Sequence, residues 1–417
     1  MKALFITYYW PPAGGVSAQR ILHFVKNLAD TGIDCHVICP KNASYYQTDE
    51  QLLTEVPVNV TIHQVAINDI TSVVKKVPKL NQEGNIKTES TSIVTRSAKW
   101  IRANMFIPDP KINWVKAVTK QAIDLHHTHS YDVLFTNGTP HSVHLSGYAI
   151  KQQSKLPWIA DFRDPWTKMD YFQQLPLTKK SIQKHIELEK KVITSADIVL
   201  TVSESWRKDF ISLGASRAET ITNGFDEYIK KEKNSDEFLI SHIGSLHGDR
   251  SLDSLAKVIK LLLNDETNQQ PKLALVGSVS PKTIASISQY LPTERIIQTG
   301  VVSHKVAKQW MARSSVLALA INKSVASDGR IPAKLFEYLS TGIPIVCLGN
   351  DSGDAANIIK ETQSGRCFKL DNTESLMEYV RLIYAGKNIE KAKTEIIDKY
   401  SRKNTAEELK VLMRSLL

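Results

Sequence analysis

Short apolar runs alternate with amphipathic stretches along most of this chain. Ala3–Thr7, His36–Cys39, Asp132–Thr136, Trp158–Ala160 and Ala196–Ser203 have the length and composition of buried strands. Between the first two, Ile21, Leu22, Phe24, Val25 and Leu28 recur at helical spacing, so the chain opens on a strand–helix–strand unit. Helices are also predicted over His144–Gln153 and Ser181–Ile193, the latter with Lys and Glu at helical pair spacing. The charged stretch Lys230–Asp236 then reads as a linker. Beyond it the pattern resumes, with strands Phe238–Ile243, Lys272–Val276, Ile296–Thr299 and Val316–Ile321, and another beginning at Pro344–Val346. The intervening helices run through Leu252, Leu255, Val258 and Leu262, then Val306 and Trp310, then Leu335, Phe336 and Leu339. The last helices start at Ser375 and end in Asn404–Leu417. Strands and helices alternating in this way predict α/β architecture with parallel sheets.

The stretch Ala318–Val346 carries the most chemistry. It reads as strand, polar loop over Asn322–Arg330, helix and strand. Pro332 sits where a first helical turn tolerates it, because its missing N–H would have no partner there. Gly342 ends the helix. A helix start after a loop offers free N–H groups and a positive dipole end, which suit a phosphate. Lys334 and Glu337 fall on one helix face, so both reach the same ligand. Lys334 suits an anionic phosphate; Glu337 can accept from a pair of sugar hydroxyls. Spacing alone fits an ordinary strand–helix–strand unit with solvated charges equally well.

In the first half, Thr7 leads into Tyr8-Tyr9-Trp10-Pro11-Pro12-Ala13-Gly14-Gly15. Gly14 and Gly15 let the backbone approach a ligand at a strand's carboxyl end, where open α/β sheets bind. The usual dinucleotide fingerprint is absent. Trp158–Ala160 runs into Asp161, Phe162, Arg163 and Asp164. Three charges ending an apolar strand are costly unless paired or used. An Arg163–Asp pair clamping a loop is the plainer account. His126, His127, His129, His141 and His144 do not assemble a metal-type spacing, so no metal site is expected; a loop histidine near a sugar suits them better.

G-x-I-P-x-K-L-x-E-Y-L-x-x-G-x-P-I-V, starting at Gly329, resembles the donor-site signature of retaining nucleotide-sugar glycosyltransferases of the GT-B fold, family 4 or group 1. The resemblance keeps its order over nearly the whole chain and is weakest between Lys41 and Asn104. P-P-x-G-G is similar to the family's first loop, and IADFRDPW to a branch involved in surface-polysaccharide assembly. Ala196–Ser203 matches the segment closing the first domain. The Asn223-Gly224 pair resembles the interdomain link, with Thr222 replacing the usual proline.

The resemblance implies two Rossmann-like domains facing a central cleft, the last helix crossing back to the first. It divides the chain into an acceptor domain, 1–228 plus 400–417, and a donor domain, 236–399. It places the donor against Gly244, Arg250, Asp328, Gly329, Ile331, Pro332, Lys334 and Glu337, with Gly14, Gly15 and Asn223 contributing. The nucleobase is expected between the loops at Gly277 and Gly300. Asp161, Arg163, Asp164 and Glu337 are the catalytic candidates. Ser245 replaces a usual arginine, Gly329 a usual glutamate, and Arg163 stands near a position often held by histidine. Retention is implied. With no well-placed protein nucleophile, same-face attack assisted by the leaving phosphate is expected, with neither a metal nor a cofactor beyond the nucleotide-sugar.

Composition narrows the partners. At 417 residues the chain suits two domains, and 42% hydrophobic with 23% charged residues is a globular mixture. No apolar run nears the roughly 20 residues that span a bilayer, and the start is too short in apolar core for a secretory signal. Cys35, Cys39, Cys347 and Cys367 form no close metal-type pairs, and a reduced, cytoplasmic protein is expected. The net charge of +10 implies an anionic partner. No base-reading helix or RNA signature is visible, so nucleic acid is not the expected one. Thr71–Trp114 is polar and basic, with Asn81–Thr91 predicted as a mobile loop. Within Thr95–Ile107, Trp100, Ile101, Met105 and Phe106 interleave with Arg96, Lys99 and Arg102. That mixture fits a segment lying on an anionic membrane, and equally a solvated helix covering the core.

Together these features point to a retaining hexosyltransferase using a UDP- or GDP-linked donor and a glycan acceptor, preferably lipid-linked, at the inner membrane face. A GT-B nucleotide-sugar epimerase and a non-catalytic nucleotide- or lipid-binding protein are the readings from other classes.

Overall fold

The computed structural model describes residues 1–67, 93–232, 237–265, 270–322, 327–387 and 392–417. The chain forms two compact units, Met1–Thr222 with Arg402–Leu417, and Asn223–Ser401. Among the described residues the first unit holds strands β1 (Lys2–Thr7), β2 (Asp34–Pro40), β3 (Thr61–Val65), β4 (Val133–Asn137), β5 (Trp158–Arg163), β6 (Ile198–Thr201) and β7 (Ala218–Thr220). They lie in the order β3-β2-β1-β4-β5-β6-β7, every neighbour parallel. The second unit holds β8 (Leu239–Ile243), β9 (Lys272–Val276), β10 (Ile296–Gly300), β11 (Val316–Ala320), β12 (Ile345–Leu348) and β13 (Gly365–Phe368). Their order is β10-β9-β8-β11-β12-β13, again parallel throughout.

Both faces of each sheet are covered, which is why the central strands read as unbroken apolar runs. Leu4, Ile6 and Leu134 pack on one face, while Ala3, Phe5, Val133 and Phe135 pack on the other. The second unit repeats this, with Leu317 and Leu319 on one face and Val316, Ala318 and Ala320 on the other. The closing helix, Arg402–Arg414, belongs to the first unit. Its Ala406, Leu409 and Met413 join Ile21, Leu22, Val25 and Leu28 of helix Val16–Asp30 in one apolar cluster.

Three expectations need correction. β5 continues through Asp161, Phe162 and Arg163, so these charges stand within the strand rather than beyond it. The start of the expected linker is fastened to the second unit: the N–H groups of Glu232, and of Ile229 just before it, donate to the carbonyls of Ala312 and Ser340 at 2.9 and 3.1 Å. The helix expected from Pro332 begins at Lys334 and runs only six residues, to Leu339. The predicted loop at 81–91, positions 323–326 of the Asn322–Arg330 loop and positions 233–236 of the linker lie outside the described residues.

Candidate active site

The carboxyl ends of β8, β9 and β10 place Gly244, Gly277 and Gly300 side by side. A Cβ on Gly277 would stand 2.5 Å from the Gly244 carbonyl oxygen, and Gly277 forms an antiparallel bridge with Gly300. Only glycine permits this approach with φ of 133° at Gly277. Gly244 answers to a side chain instead: a Cβ there would collide with the Lys334 ammonium.

Lys334 opens the six-residue helix, with no side-chain cap before it. So short a helix adds little dipole, and the charge at this site comes from side chains. Lys334 makes no ion pair among the described residues. Loss of water and then the Arg250 charge push its pKa from 10.5 to about 8, with Glu337 opposing as the last of the three influences. Arg250 is likewise lowered, by burial first and Arg330 second. Its Nε donates to the His247 carbonyl at 3.2 Å. His242, on β8, is fully buried and held neutral, its pKa lowered to about 3 by burial and then by Lys334. Its Nδ1 pairs with the Ala318 carbonyl at 3.0 Å, which fixes the hydrogen there. Two partly dehydrated cations thus feel each other's charge, and neither makes an ion pair among the described residues. An anion with several oxygens would relieve both.

At the described end of the neighbouring loop, Asp328 is tied down. Asn350 donates to the Asp328 carboxylate at 2.6 Å, and the Asp354 N–H donates to the Asp328 carbonyl at 2.7 Å. Gly329 and Ile331 are buried and Pro332 is half-buried, and they lead directly into Lys334. Asn223 is the first residue of the second unit and is half-buried. Glu337 pairs with His304, Oε1 to Nε2 at 2.6 Å.

In the first unit, Gly14 donates its N–H to the Gln47 carbonyl at 2.9 Å, and Gly15, at φ 85°, precedes helix Val16–Asp30. Asp161 is fully buried with both oxygens occupied. Arg20 donates to them at 2.9 and 3.1 Å, and Asn137 Nδ2 at 2.9 Å. Arg20 also reaches the Thr222 and Ile221 carbonyls at 3.0 and 2.9 Å. A carboxylate so engaged holds strand ends together. Arg163 is different. It adopts φ 58°, a conformation that side chains disfavour. Its guanidinium contacts Ser17 Oγ, lies 3.7 Å from Asp164 and leaves a buried Nε without a partner. The plain account, an Arg163–Asp164 clamp, thus holds only loosely. His141 stacks on Trp166 at 4.8 Å, with Nε2 3.2 Å from the Tyr171 hydroxyl and a buried, unpartnered Nδ1.

Residues 14–224 match the model of the glycosyl transferase 4-like domain, half of the chain, and residues 225–404 match that of glycosyl transferases group 1. The chain belongs to the group 1 glycosyltransferases. No curated protein matches it by sequence. Among solved structures it is similar to sucrose-phosphate synthase from Thermosynechococcus elongatus, at 14% identity and TM-score 0.65, covering 100% of this chain and 98% of that one. Anabaena HepE, solved with UDP and glucose, gives 14%, 0.64 and full coverage of both chains. A TarM variant from S. aureus, solved with Fondaparinux, alpha-GlcNAc-glycerol and UDP, gives 11% and 0.62, covering 99% of each. At these identities the likeness establishes the GT-B fold of the glycosyltransferase and nothing finer.

Two residues of this group 1 glycosyltransferase escaped the sequence reading. Arg20 had a visible signal, a charge set between apolar residues on the buried stripe of its helix. His304 had none, because its partner lies 33 residues away.

Proposed function

We propose that the protein is a retaining hexosyltransferase that takes its sugar from a UDP- or GDP-linked donor. The observation carrying this is Lys334, whose ammonium lies over Gly244 and makes no ion pair among the described residues, with the Arg250 charge bearing on it as well. A nucleoside diphosphate supplies the missing negative charge. In this reading the pyrophosphate lies against Lys334 and Arg250, Glu337 accepts from the ribose hydroxyls, and the base lies against the turns at Gly277 and Gly300. Negative charge grows on the departing diphosphate as the glycosidic bond breaks, and fixed cations stabilise it there. They supply charge that a divalent ion would otherwise bring. The acceptor hydroxyl attacks from the face the diphosphate leaves, and its proton passes to the diphosphate oxygen, giving retention.

The first unit receives the acceptor. Arg163 and Asp164 offer the polar groups of this face, and Gly15 allows close approach. Asp161 serves as the buried anchor behind them. A lipid-linked glycan suits another surface of this unit. Helix Ile93–Met105 exposes Trp100, Ile101 and Met105, with exposed Arg96 and half-buried Lys99 on the same helix. Asn104 ties it to the Pro176 carbonyl and the Thr178 N–H at 2.9 and 2.8 Å. Thr178 caps helix Lys179–Ser195, which exposes Ile182 and Ile186 beside Lys179, Lys180 and Lys184. Apolar and basic groups mixed on adjoining helices favour an anionic bilayer surface. Among the described residues no helix is long and apolar enough to cross a membrane.

The test is a panel of UDP, GDP and their sugars, read first by thermal shift and then by transfer to glycan and lipid-linked acceptors. A donor stabilises the fold by mass action and yields a product with the anomeric configuration kept. A new nucleotide-sugar formed from the donor alone would show an epimerase instead.

A further inference from the structure

Glu337 is held by a residue outside its own helix. Its Oε1 lies 2.6 Å from Nε2 of His304, the first residue of helix His304–Ala312. That helix follows β10 and the Gly300 turn directly, and Ser303 Oγ caps it by accepting from the Val306 N–H at 3.4 Å. The contact therefore fastens the short helix of Lys334 and Glu337 to the glycine wall. Nε2 faces a carboxylate, so it carries the hydrogen whether the ring is neutral or charged. Among the described residues the Glu337 carboxylate makes no other hydrogen bond. One oxygen is held and the other is left for a ligand, on a side chain 22% exposed.

We propose that His304 is a positioning residue for ribose recognition. It fixes the Glu337 rotamer before the nucleotide arrives, with Oε1 held by the imidazole and the second oxygen presented to the ribose hydroxyls. A glutamate has three side-chain torsions, and binding to an unrestrained one loses affinity to their ordering. A hydrogen bond from a nitrogen donor to a carboxylate is strong enough to remove that cost. This inference rests on the donor site proposed above. Its rival is an ion pair of little consequence, since His304 is 49% exposed and such pairs contribute little.

The two accounts differ in what a ribose change does. Binding of UDP and GDP, and of their 2′,3′-dideoxy forms, is measured by calorimetry for the wild type, His304→Ala, His304→Gln and Glu337→Gln. Circular dichroism and melting confirm that each variant is folded. The wild type should prefer the ribo form by about tenfold or more. His304→Ala should lose most of that preference while keeping its dideoxy affinity. His304→Gln, whose amide still donates, should restore it. Equal weakening of both forms in His304→Ala, or an unchanged preference, overturns the role of His304 while leaving the donor site standing. A wild type that binds neither diphosphate, or a ribo preference untouched by Glu337→Gln, overturns the donor reading itself and this inference with it.

Discussion

The Lys334 ammonium lies directly over Gly244, in space that any Cβ at that position would occupy. The added carbon would also stand 3.0 Å from Lys334 Cε, on a backbone at φ 112° that side chains disfavour. Gly244→Ala should therefore displace the lysine and strain the turn together. We expect kcat/KM to fall by about 100-fold, the scale of losing one group that stabilises charge in the transition state. Melting should confirm that the fold survives, and steady-state kinetics with the identified donor checks the fall.

Lys334 also sets a pH dependence. Its folded pKa, about 8, lies below the ordinary 10.5. Between those values the unfolded chain keeps a proton the folded chain has shed, so this group makes stability rise with pH across that window. Below about 8 the buried charge is a full cost to the folded protein. Lys334→Met should thus be more stable than the wild type at pH 7, and the gap should narrow towards pH 10. Urea unfolding of both proteins across the range reads it directly. Diphosphate binding runs the other way. It needs the charged lysine, so affinity should weaken as pH climbs past 8, by up to about tenfold per unit.

Asp161 and Arg20 form a buried pair, with side chains 0% and 2% exposed. Asp161→Asn removes the countercharge and leaves the guanidinium in the interior. The expected loss is about 3–5 kcal/mol in denaturant unfolding, the usual result of breaking such a pair. The same substitution at Asp164, which is half-buried and 3.7 Å from Arg163, should cost under about 1 kcal/mol.

How much of this was legible beforehand depends on which neighbours a residue answers to. Strands buried on both faces, such as Val316–Ala320, announce themselves because every position must be apolar. β3 did not, because most of Thr61–Val65 faces outward at the sheet's edge. β7 is three residues long and β13 contains Gly365 and Arg366, so neither shows a run. Helix Val115–His129, with few buried positions, was missed as well. Local spacing brought Lys334 and Glu337 to attention correctly as neighbours on one helix. It could not show that the helix is too short to lend its dipole. Nor could it separate Asp161, satisfied by Arg20 from 141 residues away, from Arg163, which is not.

The exposed apolar residues and the basic residues on helix Ile93–Met105 make a prediction independent of catalysis. Trp100→Asp combined with Lys99→Glu should reduce sedimentation with vesicles rich in anionic lipid by several-fold, while the melting temperature stays unchanged. Equal sedimentation of both proteins would remove the membrane from the account.

The most direct measurement is a calorimetric titration of UDP and GDP into the wild type and Lys334→Met at pH 7. The account predicts saturable binding of one diphosphate to the wild type and its loss, by about 100-fold or more, in the folded variant. Wild-type protein that binds neither diphosphate, or a methionine variant that binds as tightly as the wild type, would contradict it.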